Sequence, residues 1–163
     1  MAVTLGTFLP QLMEGEQFRS AVAAMSEVDA EFVFALGNTD LEQLGELPAN
    51  LRAVGGSDWL PWNALLRTCT ASVHHGGSGS SMASMEAGLP QLVLPSVSES
   101  GINADAVARR GVGLRSSYQE LSPELLERVL SDRAMRAAAE EVRRELAAMP
   151  APAELVPRLL ALC

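Results

Sequence analysis

Two adjacent histidines, His74 and His75, end a short apolar run and open directly into Gly76-Gly77-Ser78-Gly79-Ser80-Ser81. Glycines let a main chain approach a ligand closely, and the first N–H groups of a helix have no partner inside it. A Gly/Ser loop that opens a helix is therefore a site for an anion such as phosphate. A neighbouring imidazole N–H and the Ser80 hydroxyl would add charge-assisted hydrogen bonds to the same anion. Successive side chains of a strand point to opposite faces, so one of the two histidines is expected at the ligand, and His75 lies nearest the loop. Glycine-rich junctions of this kind also occur for packing alone. The pair of histidines adds to the ligand reading because the carboxyl edge of a parallel sheet is where such folds bind ligands.

The segment Gly55-Gly56-Ser57-Asp58-Trp59-Leu60-Pro61-Trp62 holds both tryptophans. Trp62 reads as core. Trp59 follows a loop at the end of a strand, where an indole can lie flat against a nucleobase. The acidic pairs Glu14–Glu16 and Glu140–Glu141 read as solvated helix faces. Asp29 and Glu31 have the spacing of an acidic metal pair but fall away from the predicted ligand edge. Cys69 and Cys163 lie far apart without a CxxC spacing, so neither a zinc site nor a disulfide framework is expected.

Those residues need a scaffold, and 163 residues, 48% of them hydrophobic, are enough for one domain with a core. The formal net charge of −8 opposes nucleic acid and anionic membrane surfaces, so phosphate binding has to be local. All twelve basic residues are arginines, which excludes a Schiff-base lysine and the lysine of a nucleotide P-loop. The N-terminus lacks the basic region of a signal peptide and no apolar run approaches the ~20 residues of a membrane span. Together with the sparse cysteines this reads as a cytoplasmic chain with no membrane partner.

Short apolar runs alternate with helical patterns, as in α/β proteins built from βα units around a parallel sheet. Strands are expected at Ala2–Leu5, Glu31–Leu36, Leu51–Val54, Ala71–His74, Gln91–Pro95 and Val112–Arg115. Phe18, Val22 and Met25 place one stripe on a helix over Gly15–Ser26. A short helix follows Pro61 through Leu66, and Gly88 ends the helix that Ser80 helps to open. From Ser122 onward the pattern is helical, over Pro123–Leu130, Arg133–Met149 and Ala153–Leu162, with Pro150, Pro152 and Pro157 turning the last helix away.

The order of several motifs carries a resemblance. Trp59-Leu60-Pro61, Val73 through Ser80, Ala87 through Pro95, Asn103-Ala104, and Ala108 through Gly113 together resemble the donor-binding half of GT-B glycosyltransferases, and above all the bacterial enzymes that decorate antibiotics and macrolides. The likeness is densest from Leu51 to Leu114. It implies a Rossmann-like three-layer fold with a mainly six-stranded parallel sheet and a helical C-terminal tail. It implies that Trp59 stacks on the base while the Leu60 main chain reads its edge, that His75 and Ser80 bind the diphosphate with the loop at Gly77, Ser78 and Gly79, and that Thr7 lies near the donor. Relatives carry an Asp/Glu–Gln pair for the sugar hydroxyls where this chain has Glu99-Ser100, and plant relatives place a ribose-binding glutamate where this chain has Ala83. The missing carboxylate favours a dTDP-deoxysugar over a UDP-sugar.

By the same resemblance, residues 1–163 form a single donor-binding domain whose partner is an N-terminal acceptor-binding domain absent from the chain. Transfer in the family inverts the anomeric carbon without metal or cofactor, and its base resides in that other domain. The chain alone is therefore expected to bind donor without turnover. An auxiliary activator protein and self-association as a homo-oligomer are further expected partners. Two other readings compete. An α/β-hydrolase or esterase would use His-Gly-Gly as an oxyanion hole but lacks a Gly-x-Ser-x-Gly elbow, and a dinucleotide-binding Rossmann module would need Gly-x-Gly-x-x-Gly after the first strand.

Overall fold

The computed structural model of the chain describes residues 1–4, 15–37, 46–55, 60–96 and 98–162. Six short strands, β1 (Ala2–Thr4), β2 (Phe32–Ala35), β3 (Leu51–Val54), β4 (Ser72–His74), β5 (Gln91–Val93) and β6 (Gly113–Arg115), form one sheet in the order β3-β2-β1-β4-β5-β6. Every pairing is parallel. The α/β class and the six-stranded parallel sheet expected from the sequence are thus present. β3 has the expected bounds, Leu5 at the expected end of β1 lies outside the described residues, and the other four strands stop one or two residues inside their expected bounds, although Leu94 N–H still donates to the His74 carbonyl at 2.9 Å.

The α-helices among the described residues are α1 (Gly15–Ser26), α2 (Trp62–Leu66), α3 (Ser78–Glu86), α4 (Ser98–Arg110), α5 (Pro123–Ser131), α6 (Arg133–Ala147) and α7 (Pro152–Leu160). Their ends obey local chemistry. Ser122 accepts a hydrogen bond from Leu125 N–H to cap α5, and Asp132 accepts from Ala134 and Met135 N–H to cap α6. Gly88, at φ +70°, closes α3: its N–H reaches the Met85 carbonyl while Leu89 N–H reaches that of Ser84. Those two bonds satisfy carbonyls that the helix end leaves open, in the left-handed conformation that glycine adopts without penalty. No helix among the described residues is long and apolar enough to cross a membrane.

Alternation along the strands separates two sheet faces. Val3, Phe32, Phe34, Val73, Leu92 and Leu94 point to one face and meet Met25 of α1 and Leu126 and Val129 of α5, all buried. The other face carries two smaller clusters. Ala2 packs there with Leu66 and Leu89, and Val93 packs with Ala104, Val107, Ala139 and Val142 of α4 and α6. Trp62 packs at the edge of the first of these, as a core tryptophan would. The tail ends differently: none of the described side chains of α7 is buried, and Leu159 and Leu160 are largely exposed.

Candidate functional site at the carboxyl edge of the sheet

The strand order reverses between β1 and β4, since the chain builds outward from β1 to β3 and then returns to start again at β4. In open parallel sheets the crevice outside the carboxyl ends of the strands at such a reversal is where ligands bind. Thr4 and His74 are register partners at that point, so the end of β1 adjoins the β4–α3 loop. The Gly/Ser run read from the sequence lies at this place.

The two histidines part company as alternation requires. His74 is fully buried. Its Nδ1 accepts the Gly76 N–H at 3.1 Å, so the ring proton sits on Nε2 and donates to Gln91 Oε1 at 2.8 Å. Burial holds its pKa down at about 4, against a smaller raising effect of the Gln91 bond and a further lowering by His75. At neutral pH this ring is uncharged. His75 is half-exposed and stands at the loop. Partial burial lowers its pKa too, opposed by its contact with the Thr4 backbone. A side chain at Gly77 would strike its ring, with a Cβ 2.5 Å from Nε2, so the missing side chain there lets the imidazole lie against the loop.

Gly76 turns the chain from β4 into α3 at φ +86°. A Cβ there would sit 2.8 Å from the Ser100 carbonyl oxygen and 2.9 Å from Val93 Cγ1, so strain and crowding both demand glycine. Gly77 is the N-cap of α3 and offers no side-chain cap, in contrast to Ser122 and Asp132 at α5 and α6. The first-turn amides of α3 are thus left to solvent or to a ligand. Gly79 is exposed, with open space where a Cβ would be, and Ser80 is half-buried beside it. Ser78 Oγ donates to Glu99 Oε1 at 2.9 Å, which brings α4 to the rim of the loop. Asn103 Nδ2, one turn further along α4, reaches the Gly76 carbonyl at 2.8 Å and Ser78 Oγ at 3.3 Å.

The structure therefore gathers His75, Gly77, Ser78, Gly79, Ser80 and Glu99 at one edge. Ser100 behaves otherwise: it is 2% exposed and its Oγ accepts the Ser96 N–H at 3.1 Å, so its hydroxyl is turned inward rather than to the rim. Leu60 is half-exposed immediately before Pro61, the N-cap of α2. Thr7 and Trp59 lie outside the described residues. Two polar residues support the loop from neighbouring elements, Gln91 of β5 and Asn103 of α4, and neither has a role in the sequence analysis above. For Gln91 a signal existed, since one amide stands inside the apolar run Leu89-Pro90-Gln91-Leu92-Val93 and every such residue in a buried strand needs a partner. Among the described residues no group of three or more His, Cys, Asp or Glu is placed to hold a metal ion.

Comparisons with known proteins agree with this architecture. Residues 19–162 match the model of the erythromycin biosynthesis protein CIII-like C-terminal domain. The chain is 44% identical over 143 residues to the elloramycin glycosyltransferase ElmGT of Streptomyces olivaceus, an alignment covering 85% of the chain and 36% of that protein. Among solved structures it superposes on the glycosyltransferase SnogD of Streptomyces nogalater with a TM-score of 0.84 and 42% identity, over 99% of the chain and 43% of SnogD. The glycosyltransferase VinC, solved in complex with dTDP, matches with a TM-score of 0.82 and 33% identity, over 98% of the chain and 40% of VinC. The chain thus spans well under half the length of these relatives. With its fold, motif order and family model in accord, it belongs to the erythromycin biosynthesis protein CIII-like C-terminal domain family of GT-B glycosyltransferases.

Proposed function

We propose that this chain binds a nucleoside diphosphate sugar, a dTDP-deoxysugar, and serves as the donor half of an inverting, metal-independent glycosyl transfer to a natural product. The observation that carries the reading is the β4–α3 junction. A helix with no side-chain cap opens at the reversal point of the sheet, with the half-exposed His75 against Gly77 and open space at Gly79. Amides of a helix N-terminus carry partial positive charge and are aimed before the ligand arrives, so they stabilise a diphosphate without reorganising. The crystallisation of the relative VinC with dTDP supports the same class of ligand.

In this reading the loop at Gly77, Ser78, Gly79 and Ser80 holds the diphosphate and His75 donates to it. Trp59 stacks on the base, the Leu60 main chain reads the base edge, and Thr7 lies nearby. Glu99, on the rim and hydrogen-bonded to Ser78, takes the sugar hydroxyls. Ser100 is left out of that contact by its inward hydroxyl. During transfer the acceptor oxygen attacks the anomeric carbon from the face opposite the diphosphate, and the loop amides stabilise the charge that grows on the leaving group. The acceptor and the base that deprotonates it belong to the partner domain, so the chain alone binds donor without turning it over. Ala83 stands where a ribose carboxylate would be, and a carboxylate facing a deoxyribose would be buried with nothing to bind. Calorimetric titration with thymidine and uridine diphosphates tests this: tighter binding of the thymidine nucleotide is expected, and a clear preference for uridine rejects the donor assignment.

A further inference from the structure

We infer that Asn103 and His74 are positioning residues that grip Gly76 from opposite sides and thereby aim the anion-binding amides of the β4–α3 loop. The inference rests on the donor-binding reading above and adds to it two residues that touch no ligand.

Both main-chain groups of Gly76 are held by side chains. Its N–H donates to His74 Nδ1 at 3.1 Å and its carbonyl accepts from Asn103 Nδ2 at 2.8 Å. A side-chain acceptor two residues before the donating N–H is the geometry of an Asx-turn, here made with an imidazole. The acceptor is fixed in turn, because Gln91 Oε1 at 2.8 Å from Nε2 selects the tautomer that leaves Nδ1 unprotonated. On the other side Asn103 spans the turn, reaching both the Gly76 carbonyl and Ser78 Oγ, while Ser78 Oγ donates to Glu99. The result is a continuous line from a fully buried amide in β5, through the turn, to an exposed carboxylate on α4.

Two peptide planes, one on each side of Gly76, are fixed by these bonds, and the direction of the next amides follows from them. Gly76 at φ +86° is a point where the chain would otherwise swing, since glycine tolerates a wide range of backbone angles. His74 is sealed from solvent and cannot itself meet a ligand, so its effect on binding is indirect, and its bond to the Gly76 N–H reaches the loop main chain. Asn103 is half-exposed on a thirteen-residue helix whose backbone does not need its side chain. Its amide is nonetheless turned onto the loop, and preorganisation of donors by such supporting groups is what gives an anion site its strength.

The test compares a diphosphate ligand with a ligand that lacks it. Thymidine diphosphate and thymidine are titrated into the 163-residue chain and its Asn103→Leu, Asn103→Asp, His74→Asn and His74→Phe variants, with thermal unfolding recorded for each. Asn103→Leu is expected to weaken thymidine diphosphate binding about five- to tenfold, the scale of one neutral hydrogen bond, while thymidine binding is unchanged. Asn103→Asp loses the same donor and adds a negative charge beside the loop, so it should weaken thymidine diphosphate binding more than Asn103→Leu does. His74→Asn restores an acceptor to the Gly76 N–H and should retain more of the diphosphate preference than His74→Phe. A purely structural role would lower both affinities together or only the melting temperature. If both Asn103 variants keep the parent's ratio of diphosphate to nucleoside affinity, the positioning role is wrong. If the parent binds thymidine but gains nothing from the diphosphate, the donor-site reading itself fails and takes this inference with it.

Discussion

The two faces of the sheet are built by the same strands, yet they differ in kind. On the face covered by α1 and α5, every strand residue that reaches the core is aliphatic or aromatic, from Val3 and Phe34 to Leu92. On the face covered by α3, the buried strand residues include Ser72, His74 and Gln91, and the helix that covers them buries Ser81 and Ser84. Each buried polar group costs free energy unless it is bonded, and here most are: Ser72 Oγ donates to Ser84 Oγ at 2.8 Å, and His74 bonds Gln91 and Gly76. A fold needs only the first kind of face. The second kind brings small, polar residues close under a helix, and its line of bonds ends at the loop where the ligand is proposed to bind.

The largest loss is expected on the apolar face. Phe34 is 1% exposed and its ring meets that of Phe18 edge-to-face at 5.7 Å. Phe34→Ala should cost about 4 kcal/mol of stability through lost burial and an unfilled cavity. At a temperature where the variant is still folded, nucleotide affinity should match the parent. Impaired binding by the folded variant would mean that the two faces are not separable. Gly76→Ala is the counterpart beneath the loop, where a positive φ and two contacts below 3 Å oppose any side chain. About 3 kcal/mol of stability should be lost there, with binding lost as well. A variant that melts like the parent would show that the turn has freedom the packing does not reveal.

Acid provides the next test, aimed at the buried imidazole of His74. His74 titrates at about 4 when folded and near its ordinary 6.5 when unfolded. Below 6.5 the unfolded chain takes up a proton that the folded chain refuses, so stability is fully present above that pH and falls as pH drops toward 4. From pH 7 to pH 5 the loss from this residue alone should be about 2 kcal/mol. Urea unfolding at both values would show it, and His74→Phe should reduce the slope. His75, also depressed by partial burial, acts in the same direction, so the slope should shrink rather than vanish. An unchanged slope in His74→Phe would contradict the buried neutral imidazole.

The contrast between the faces also explains what could be read from the sequence. Phe18, Val22 and Met25 announced α1 because an apolar stripe against a sheet has a period, and the helix runs over Gly15–Ser26 as that stripe requires. Strands flanked by Gly and Pro were equally visible, to within a residue or two. The helix α3 was legible only through its ends, the glycines at its start and Gly88 at its close, since its buried positions are serines with no apolar period. The loop itself was legible as chemistry because glycine, serine and histidine are chosen there for backbone and hydrogen-bonding reasons. What supports the loop was not. The Gln91 amide bonds a ring 17 positions away and Asn103 grips a carbonyl 27 positions away, relations that no local pattern contains. Ser100 shows the converse, a residue next to the rim in sequence whose hydroxyl accepts the Ser96 N–H on the inner side.

The smallest expected change in stability, and the sharpest separation of the two roles, is at His75. The residue adjoins His74 but shares none of its bonds to Gln91 and Gly76, and its ring rests against a glycine that a side chain would displace. His75→Ala removes a half-exposed ring, so stability should change by less than about 1 kcal/mol. Affinity for thymidine diphosphate should nevertheless fall about tenfold, the worth of one charge-assisted hydrogen bond. An anion beside the ring favours its protonated form, so binding by the parent should take up a proton and strengthen as pH falls from 8 to 6, and in His75→Ala this dependence should shrink to what the ligand's own terminal phosphate contributes. Calorimetry in buffers of different ionisation enthalpy reads that proton directly. If the variant binds as the parent does, with the same pH dependence, the imidazole at the rim is there for packing and the amides of α3 hold the anion alone.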